Sequence, residues 1–213
     1  MSTGLAERLR LIVVTDPDCA GRSVVDVVRA ALRGGAPAIQ LRMKDAPARE
    51  MADAARVLLA ETRAAGALLF VNDRVDVALA VGADGAHVGQ DDLPVAAARA
   101  IVPWSFLIGV SAETDLLARQ AERDGASYVG VGPIHATGSK ADAGDAVGPE
   151  RITEVAAVVR IPVVGIGGIT TGNAPAVIQA GAAGVAVIRA VTRAPDPEAA
   201  VRALLLPLPG TTS

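Results

Sequence analysis

Lysine is scarce in this chain, and each of its two lysines follows a short apolar run. Of 20 cationic residues eighteen are arginine, and the lysines are Lys44 and Lys140. Lys44 lies two residues beyond Arg42, just past the run 38–42, and Lys140 lies in the stretch HATGSKADAGDAVG at 135–148. Cations at the ends of strands could bind the phosphate groups of a substrate. Two solvated surface lysines are the alternative interpretation.

Carboxylates follow two more of these apolar runs. Asn72 and Asp73 come directly after the run 67–71, and Asp91 and Asp92 follow the run 85–89. Carboxylate oxygens in ones and twos, completed by water and a substrate phosphate, suit Mg²⁺. The same side chains could instead cap the following helices. Both interpretations stay open, and Asp73 and Asp92 are the candidate metal ligands.

A glycine-rich segment and an arginine follow the last two apolar runs. The segment is Gly-Ile-Gly-Gly-Ile-Thr at 165–170, and the arginine is Arg189. If the fold is a barrel, loops at these two places commonly hold a phosphate through backbone N–H groups. Glycines also serve tight turns, which is the competing explanation.

The two histidines are weaker candidates for chemistry. His87 lies between Ala86 and Val88 inside an apolar run, so we interpret it as a packed or loop-orienting residue. His135 has no second histidine or cysteine near it in sequence to share a metal. No nucleophile elbow, Cys–His pair or zinc-type spacing occurs, so covalent nucleophilic catalysis is not expected.

Eight short apolar runs alternate with amphipathic, alanine-rich segments along the chain. The predicted strands are 10–15, 38–42, 67–71, 85–89, 106–111, 128–132, 162–167 and 184–188. The predicted helices are one that begins at Ser23 and others over 48–65, 74–80, 94–101, 114–123, 149–159, 172–180 and 196–206. This repeat predicts an α/β fold, a (β/α)8 TIM barrel whose site lies on the loops after the strands. A doubly wound open sheet is the rival, although no glycine-rich dinucleotide loop follows the first run. We predict one domain over 1–213, with 206–213 as a loose tail.

Composition limits the classes of partner. Hydrophobic residues make up 51% and the net charge is −3, which excludes a disordered chain and gives no basic footprint for nucleic acid. No apolar run is long enough for a transmembrane helix. Cys19 is the single cysteine, and the N-terminal segment lacks the apolar region of a signal peptide. We expect a cytoplasmic protein with small-molecule substrates and no nucleic-acid or membrane partner; a homo-oligomer is left open.

Together these residues favour a reaction between two phosphorylated small molecules. Cations beside a divalent metal suit a diphosphate, while a separate glycine-rich cradle suits a monophosphate. The residue types alone do not name either compound.

Longer motifs follow one another in register along nearly the whole chain. They are IQLRMKD (39–45), FVNDRVDVALAVGADGAHVGQDDLP (70–94), LIGVSAET (107–114), YVGVGPIHATGSK (128–140), VVGIGGIT (163–170) and GAAGVAVIRA (181–190). With these motifs the chain resembles the thiamine-phosphate synthase family, and 70–94 is the most specific segment. The resemblance implies a TIM barrel that requires Mg²⁺. It also implies a dissociative reaction that joins 4-amino-2-methyl-5-(diphosphooxymethyl)pyrimidine to 4-methyl-5-(2-phosphooxyethyl)thiazole, giving thiamine phosphate and pyrophosphate.

The resemblance also implies a role for each matching residue. The catalytic cations would be Arg42, Lys44 and Lys140. The pyrimidine diphosphate would be bound by Gln40, Leu41, Arg42, Met43, Lys44, Asn72, Ser111 and Lys140. The thiazole phosphate would be bound by Thr137, Gly138, Ser139, Gly168, Ile188 and Arg189. Asp73 and Asp92 would bind Mg²⁺.

The chain departs from the usual pattern of the family in three places. Its Pro-Thr-x-Thr-Lys run reads Ala-Thr-Gly-Ser-Lys at 136–140, its histidine after the fifth strand is Glu113, and its serine after the eighth strand is Arg189. Arg189 could grip the thiazole phosphate through two parallel hydrogen bonds or point outward. These departures fall on the thiazole side of the expected site.

Two other functions remain as alternatives. A thiazole tautomerase paralogue shares the barrel and the phosphate cradle, but it has no use for diphosphate-binding cations or Mg²⁺. A catalytically silent barrel that sequesters a phosphorylated metabolite is the second. Retention of Arg42, Lys44, Asn72, Asp73, Asp92 and Lys140 together favours the synthase.

Overall fold

A computed structural model describes residues 2–138 and 144–206. Eight short strands carry the fold, and their residues are mostly apolar because parallel strands in a barrel are covered on both faces. The strands are β1 (Leu11–Val14), β2 (Ala38–Leu41), β3 (Leu68–Asn72), β4 (Gly85–Val88), β5 (Leu107–Ser111), β6 (Tyr128–Val131), β7 (Val163–Ile166) and β8 (Gly184–Val187).

The strands form one closed parallel barrel in chain order. Each strand pairs with the next, and β1 closes the sheet by pairing with β8, with Ile12 opposite Ala186. The predicted (β/α)8 barrel is confirmed, and the open doubly wound sheet is wrong. Because all strands run parallel, the loops after their C-terminal ends meet at a single mouth.

Helices follow the strands and surround the barrel. They are α1 (Ser2–Arg8), α2 (Val24–Arg33), α3 (Ala48–Ala65), α4 (Val75–Val81), α5 (Val95–Ile101), α6 (Asp115–Arg123), α7 (Glu150–Ala156), α8 (Ala174–Gln179), α9 (Arg189–Thr192) and α10 (Pro197–Leu205). Eight of them match the predicted helices with small shifts at their ends. The sequence patterns did not predict α1 or α9.

Local chemistry explains where the helices begin and end. The Ser23 hydroxyl accepts a hydrogen bond from the Asp26 N–H at the start of α2, as the capping pattern predicts. Gly66 ends α3 in the left-handed region, at φ 69°, where glycine has no Cβ penalty.

Alternation along the strands divides the buried residues into two clusters. Residues such as Val13 and Leu41 belong to the larger cluster, which packs the sheet against the helices. Residues such as Ile12, Phe70 and Tyr128 belong to the smaller cluster, which fills the inside of the barrel. The interior is therefore a packed core, and the space for a ligand lies above it.

The helix α1 covers the N-terminal end of the barrel. Leu9, directly after α1, is fully buried in the interior cluster, and Leu5 packs against that cluster. With this end covered, the loops after the strands surround the open end of the barrel.

No helix in residues 2–138 and 144–206 is long and apolar enough to cross a membrane. In the predicted loose tail, Leu206 follows α10 with its side chain exposed, and 207–213 lie outside the described residues.

Candidate active site

A cavity of about 820 Å³ opens at the C-terminal ends of the strands. Cavities of this size commonly hold small-molecule ligands. Many residues predicted from the sequence line it, namely Arg42, Lys44, Asn72, Asp73, Asp92, Ser111, Thr137, Gly138, Gly168, Ile188 and Arg189. Ser139 and Lys140 lie outside the described residues. The cavity thus brings together residues from distant parts of the chain.

Side-chain alternation after β2 separates the predicted pyrimidine-binding residues. Arg42 and Lys44 line the cavity. Leu41 and Met43 instead pack in or against the outer core, between the sheet and the helices, and do not line it. Gln40 is buried inside the barrel and lines a second, much smaller cavity of about 20 Å³. Any contact of Leu41 or Met43 with a substrate in this cavity would therefore come from the backbone.

The backbone at Arg42 is fixed by the neighbouring strand. Its N–H donates to the Thr15 hydroxyl over 2.9 Å, just beyond the end of β1. Its guanidinium makes no ion pair with any carboxylate in the described ranges. A cation held in a cavity without such a partner can bind an anionic ligand.

Asp73 has an unusual backbone conformation at the edge of the cavity. Its φ is 63°, in the left-handed region that few non-glycine residues adopt. Its N–H donates to the His87 carbonyl over 2.7 Å, which links the ends of β3 and β4. The N-cap position of α4 is Arg74, so neither Asn72 nor Asp73 occupies it. Strained conformations of this kind cluster at functional sites.

Asp92 reaches the cavity from the loop after β4. Its Oδ2 accepts a hydrogen bond from the Gly89 N–H over 2.6 Å, so the carboxylate is held by its own loop. The N-cap of α5 is Pro94, two residues later. Asp92 therefore does not occupy the helix-cap position that the sequence left open.

The donor set around Asp73 and Asp92 fits a metal that keeps most of its ligands as water or phosphate. Within residues 2–138 and 144–206 there is no group of three or more His, Cys, Asp or Glu side chains that could hold a metal. Zinc sites built from three or four protein ligands are thus not formed by these residues. One or two carboxylates with substrate oxygens are what Mg²⁺ commonly takes.

A hydrogen-bonded group lies at the floor of the cavity. His87 Nε2 is 3.1 Å from the Ser111 hydroxyl, and His87 Nδ1 is 3.0 Å from the Tyr128 hydroxyl. The Gln40 side chain hydrogen-bonds the same tyrosine, and burial raises the pKa of Tyr128 well above its usual range. The tyrosine therefore keeps its proton. Interpreting His87 as a packed residue missed that it also lines the cavity.

Glycines in two strands make room for this group. A Cβ on Gly109 would lie 2.1 Å from the Tyr128 ring, and a Cβ on Gly130 would lie 3.1 Å from the His87 ring. Glycine inside a strand often marks such a close approach. This is the sequence signal that could have pointed to the group.

The glycine-rich loop after β7 forms the opposite side of the cavity. Gly167 and Gly168 have φ values of 97° and 61°. A Cβ on Gly168 would lie 2.7 Å from the Ala136 carbonyl oxygen, so the loop also needs glycine for space. The Asn173 side chain ties this loop together by donating to the Gly168 carbonyl over 2.9 Å and accepting from the Thr170 N–H over 2.7 Å.

Arg189 lines the cavity rather than pointing outward. It is the first residue of α9, and a Cβ on Gly138 would lie 3.1 Å from its Nη1. The guanidinium therefore lies against the loop after β6. It makes no ion pair with the described carboxylates. Glu113 also lines the cavity, with an exposed side chain at its rim.

Comparison with known proteins identifies the family. The family model described as thiamine monophosphate synthase matches residues 11–191, nearly all of the barrel. The thiamine-phosphate synthase of Roseiflexus castenholzii is 59% identical over 193 residues, covering 90% of this chain and 85% of the relative. The chain belongs to the thiamine monophosphate synthase family. The resemblance drawn from the sequence motifs is confirmed.

Other relatives agree with this family. The thiamine-phosphate synthase of Moorella thermoacetica is 54% identical over 193 residues, covering 91% of this chain and 92% of the relative. The solved structure of thiamine phosphate pyrophosphorylase from Pyrococcus furiosus superposes with a TM-score of 0.86 at 43% identity, covering 94% of this chain and 95% of that one. The family resemblance therefore extends over the whole barrel and not only over its motifs.

Proposed function

We propose that the chain is a thiamine-phosphate synthase, a transferase that joins the pyrimidine diphosphate to the thiazole phosphate and releases pyrophosphate. One observation carries the proposal: a single cavity has Asp73, Asp92 and Arg42, which forms no ion pair with the described carboxylates, on one side and the glycine cradle with Arg189 on the other. This division suits a diphosphate with a divalent metal on the first side and a monophosphate on the second. Membership of the family supports both assignments.

The pyrimidine diphosphate occupies the side formed by β2, β3 and β5 in this proposal. Arg42 and Lys44 bind its phosphates, and Lys140 joins them from the loop after β6. Asn72 and Ser111 hold the pyrimidine ring, with Gln40 beneath them. Preplaced cations stabilise the negative charge that grows on the leaving diphosphate, and one well-placed donor is worth roughly 3–4 kcal/mol.

Asp73 and Asp92 hold Mg²⁺ beside the diphosphate. When bound, the metal neutralises charge on the leaving group as a Lewis acid. The Gly89 N–H orients the Asp92 carboxylate, and the His87 carbonyl anchors the Asp73 backbone.

The thiazole phosphate occupies the side formed by the loops after β6, β7 and β8. Gly168 and Ile188 offer backbone groups, Thr137 and Gly138 bind the phosphate from the loop after β6, and the sequence motif assigns Ser139 to the same phosphate. Arg189 replaces the usual serine and supplies a full positive charge. A guanidinium can bind phosphate through two parallel hydrogen bonds.

The reaction needs no general base. The bond from the pyrimidine methylene carbon to the diphosphate oxygen breaks, and the electron pair leaves on pyrophosphate. The lone pair of the thiazole nitrogen then forms the new C–N bond, and no proton is transferred. The residues hold the two substrates in line and keep water from the carbocation. The absence of a nucleophile–base pair among the sequence motifs agrees with this scheme.

Pyrophosphate release tests the proposal. The purified chain is given both substrates, then the pyrimidine diphosphate alone, each with Mg²⁺ and with EDTA. We expect pyrophosphate and thiamine phosphate in equal amounts only with Mg²⁺ and both substrates. No product under any condition would overturn the proposal; isomerisation of the thiazole would then identify the tautomerase, and binding without turnover the silent barrel.

Three further properties belong to the proposal. The chain acts as one domain over 1–213, since the matched family region spans nearly all of the barrel. It works on small molecules in the cytoplasm, as the sequence predicts. A homo-oligomer is compatible with this site, because every residue assigned to the site comes from one chain.

A further inference from the structure

Four side chains form a hydrogen-bonded chain beneath the cavity. Gln40 hydrogen-bonds the Tyr128 hydroxyl, which lies 3.0 Å from His87 Nδ1. His87 Nε2 lies 3.1 Å from the Ser111 hydroxyl at the cavity floor. The four side chains come from β2, β6, β4 and β5, so these hydrogen bonds cross the inside of the barrel. We call this set the Gln40–Ser111 relay.

The relay residues are packed tightly inside the barrel. Tyr128 is fully buried and packs its ring edge-on against Phe70, with 5.5 Å between ring centroids. Gly109 and Gly130 leave the space that the Tyr128 and His87 rings fill. A small cavity of about 20 Å³ is lined by all four relay residues. A buried polar group of this kind is costly unless its members satisfy one another.

In the proposed relay each residue donates its hydrogen bond in the same direction, from Gln40 toward Ser111. Burial raises the pKa of Tyr128, so its hydroxyl keeps its proton, and in the proposed relay the Gln40 amide N–H donates to the hydroxyl oxygen. Tyr128 must then donate its own proton onward, and His87 Nδ1 accepts it. That places the imidazole proton on Nε2, from which it is donated to the Ser111 oxygen. The Ser111 hydroxyl proton is left to point into the cavity.

We propose that His87 is a positioning residue: through the Gln40–Ser111 relay it makes Ser111 a hydrogen-bond donor toward the bound pyrimidine. The partner is a ring nitrogen of the pyrimidine, which is an acceptor. This inference rests on the proposed function for the identity of the ligand. The backbone of Ser111 is held as well, because the Gln90 side chain donates to its carbonyl and the next N–H, of Ala112, donates to Gly130 over 2.8 Å.

If His87 were only structural, its substitution would raise KM for both substrates alike. The relay contacts only the pyrimidine diphosphate, so its loss should raise KM for that substrate alone. We expect His87→Leu to raise KM for the pyrimidine diphosphate about tenfold, the cost of one lost hydrogen bond, and to leave KM for the thiazole phosphate within about twofold. His87→Gln can still donate from near the Nε2 position and should recover most of the loss. Ser111→Ala should match His87→Leu.

The double variant His87→Leu/Ser111→Ala distinguishes the relay from two separate effects. If His87 acts through Ser111, the double variant is no worse than Ser111→Ala alone. Additive losses, or equal increases in both KM values, would overturn the proposal. Melting temperatures of all variants show whether a loss of binding comes from a loss of fold.

The tautomer gives a test that needs no substrate. The chain has two histidines, so His135→Gln leaves His87 alone for nitrogen-15 NMR of the imidazole. We expect the proton on Nε2 and none on Nδ1 in the folded protein at neutral pH. A proton on Nδ1 would overturn the proposal even if the enzyme turns over its substrates. Conversely, the Nε2–H form together with no turnover would retain the relay and reject the proposed function.

Discussion

Charged side chains divide the cavity by the kind of anion each part can hold. Arg42 and Lys44 both line the cavity from the segment directly after β2. Asp73 and Asp92 follow the neighbouring strands β3 and β4. Arg189 lies across the cavity against Gly138. A single substrate does not explain cations at both ends, but two phosphorylated substrates do.

The metal role of Asp92 is a prediction at this scale. Asp92→Asn keeps an oxygen for the Gly89 N–H but loses the negative charge that holds Mg²⁺. We expect the Mg²⁺ concentration for half-maximal activity to rise by at least about tenfold to a hundredfold. The measurement is initial rate against Mg²⁺. Asp115→Asn, in the exposed first turn of α6, is the control. An unchanged Mg²⁺ dependence in Asp92→Asn would remove it from the metal site.

At the scale of elements, interior glycines decide which side chains the barrel can hold. Gly109→Ala would push a methyl group into the Tyr128 ring, at 2.1 Å. We expect a loss of about 1–3 kcal/mol in the free energy of unfolding, as for overpacked cores. Urea unfolding measures it. Gly172→Ala, whose nearest neighbour would be 3.9 Å away, is the control.

A second substitution tests whether the clash with Tyr128 causes the loss of stability in Gly109→Ala. Tyr128→Leu removes the clashing atoms, so adding Gly109→Ala to it should cost much less than in the wild-type chain. An equal cost of Gly109→Ala in both backgrounds would show that contact with the Tyr128 ring is not its cause.

The element α1 closes the bottom of the barrel, and Leu9, the residue directly after it, lies in the barrel interior. Leu9 is fully buried, so Leu9→Ala should lower the free energy of unfolding by about 2–5 kcal/mol. Leu116→Ala is the matched control, because that side chain is 68% exposed on α6. Equal effects of the two substitutions would show that Leu9 is not buried in the barrel interior in solution.

The sequence predicted the eight strands and missed two helices for physical reasons. Buried parallel strands read as short apolar runs, so β1 to β8 were visible. α9 has four residues, too few to show helical periodicity. α1 contributes only a little apolar surface, so its packing depends on a barrel that local patterns do not describe.

The candidate site could be predicted where it depends on strand order, and not where it depends on the register between strands. Residues placed just after strands, such as Arg42 and Asp73, were found because parallel strands end at one mouth. The motif assigned Leu41 and Met43 to the pyrimidine site together with their neighbours. It does not show which side chains face the cavity, and these two pack in or against the outer core instead. Tyr128 and His87 both pair with Gly109 of β5, and their rings meet over that glycine because of a strand register that local patterns do not give.

At the scale of the whole molecule, the buried Tyr128 couples stability to alkaline pH. It is the single tyrosine of the chain, and burial raises its pKa above the ordinary 10.0. Below pH 10 the tyrosine is neutral in both states. As pH rises further the unfolded chain loses this proton and the folded chain keeps it, so stability falls.

Phenolate absorbance measures this coupling without interference from other tyrosines. We expect no phenolate signal from the folded protein near pH 10, and its appearance together with unfolding at higher pH. Tyr128→Phe should show a weaker loss of stability over the same range. A phenolate signal in the folded protein near pH 10 would contradict the burial of the tyrosine.

The most direct test of the account compares Arg42→Ala and Arg189→Ala against both substrates. Each loses a charge-assisted contact with one anion, so each should raise one KM by about tenfold to a hundredfold. Arg119→Ala, exposed on α6, is the control. We predict that Arg42→Ala raises KM for the pyrimidine diphosphate alone, and Arg189→Ala that for the thiazole phosphate alone. The reverse pattern, or equal effects on both substrates, would contradict a cavity divided between two phosphorylated substrates.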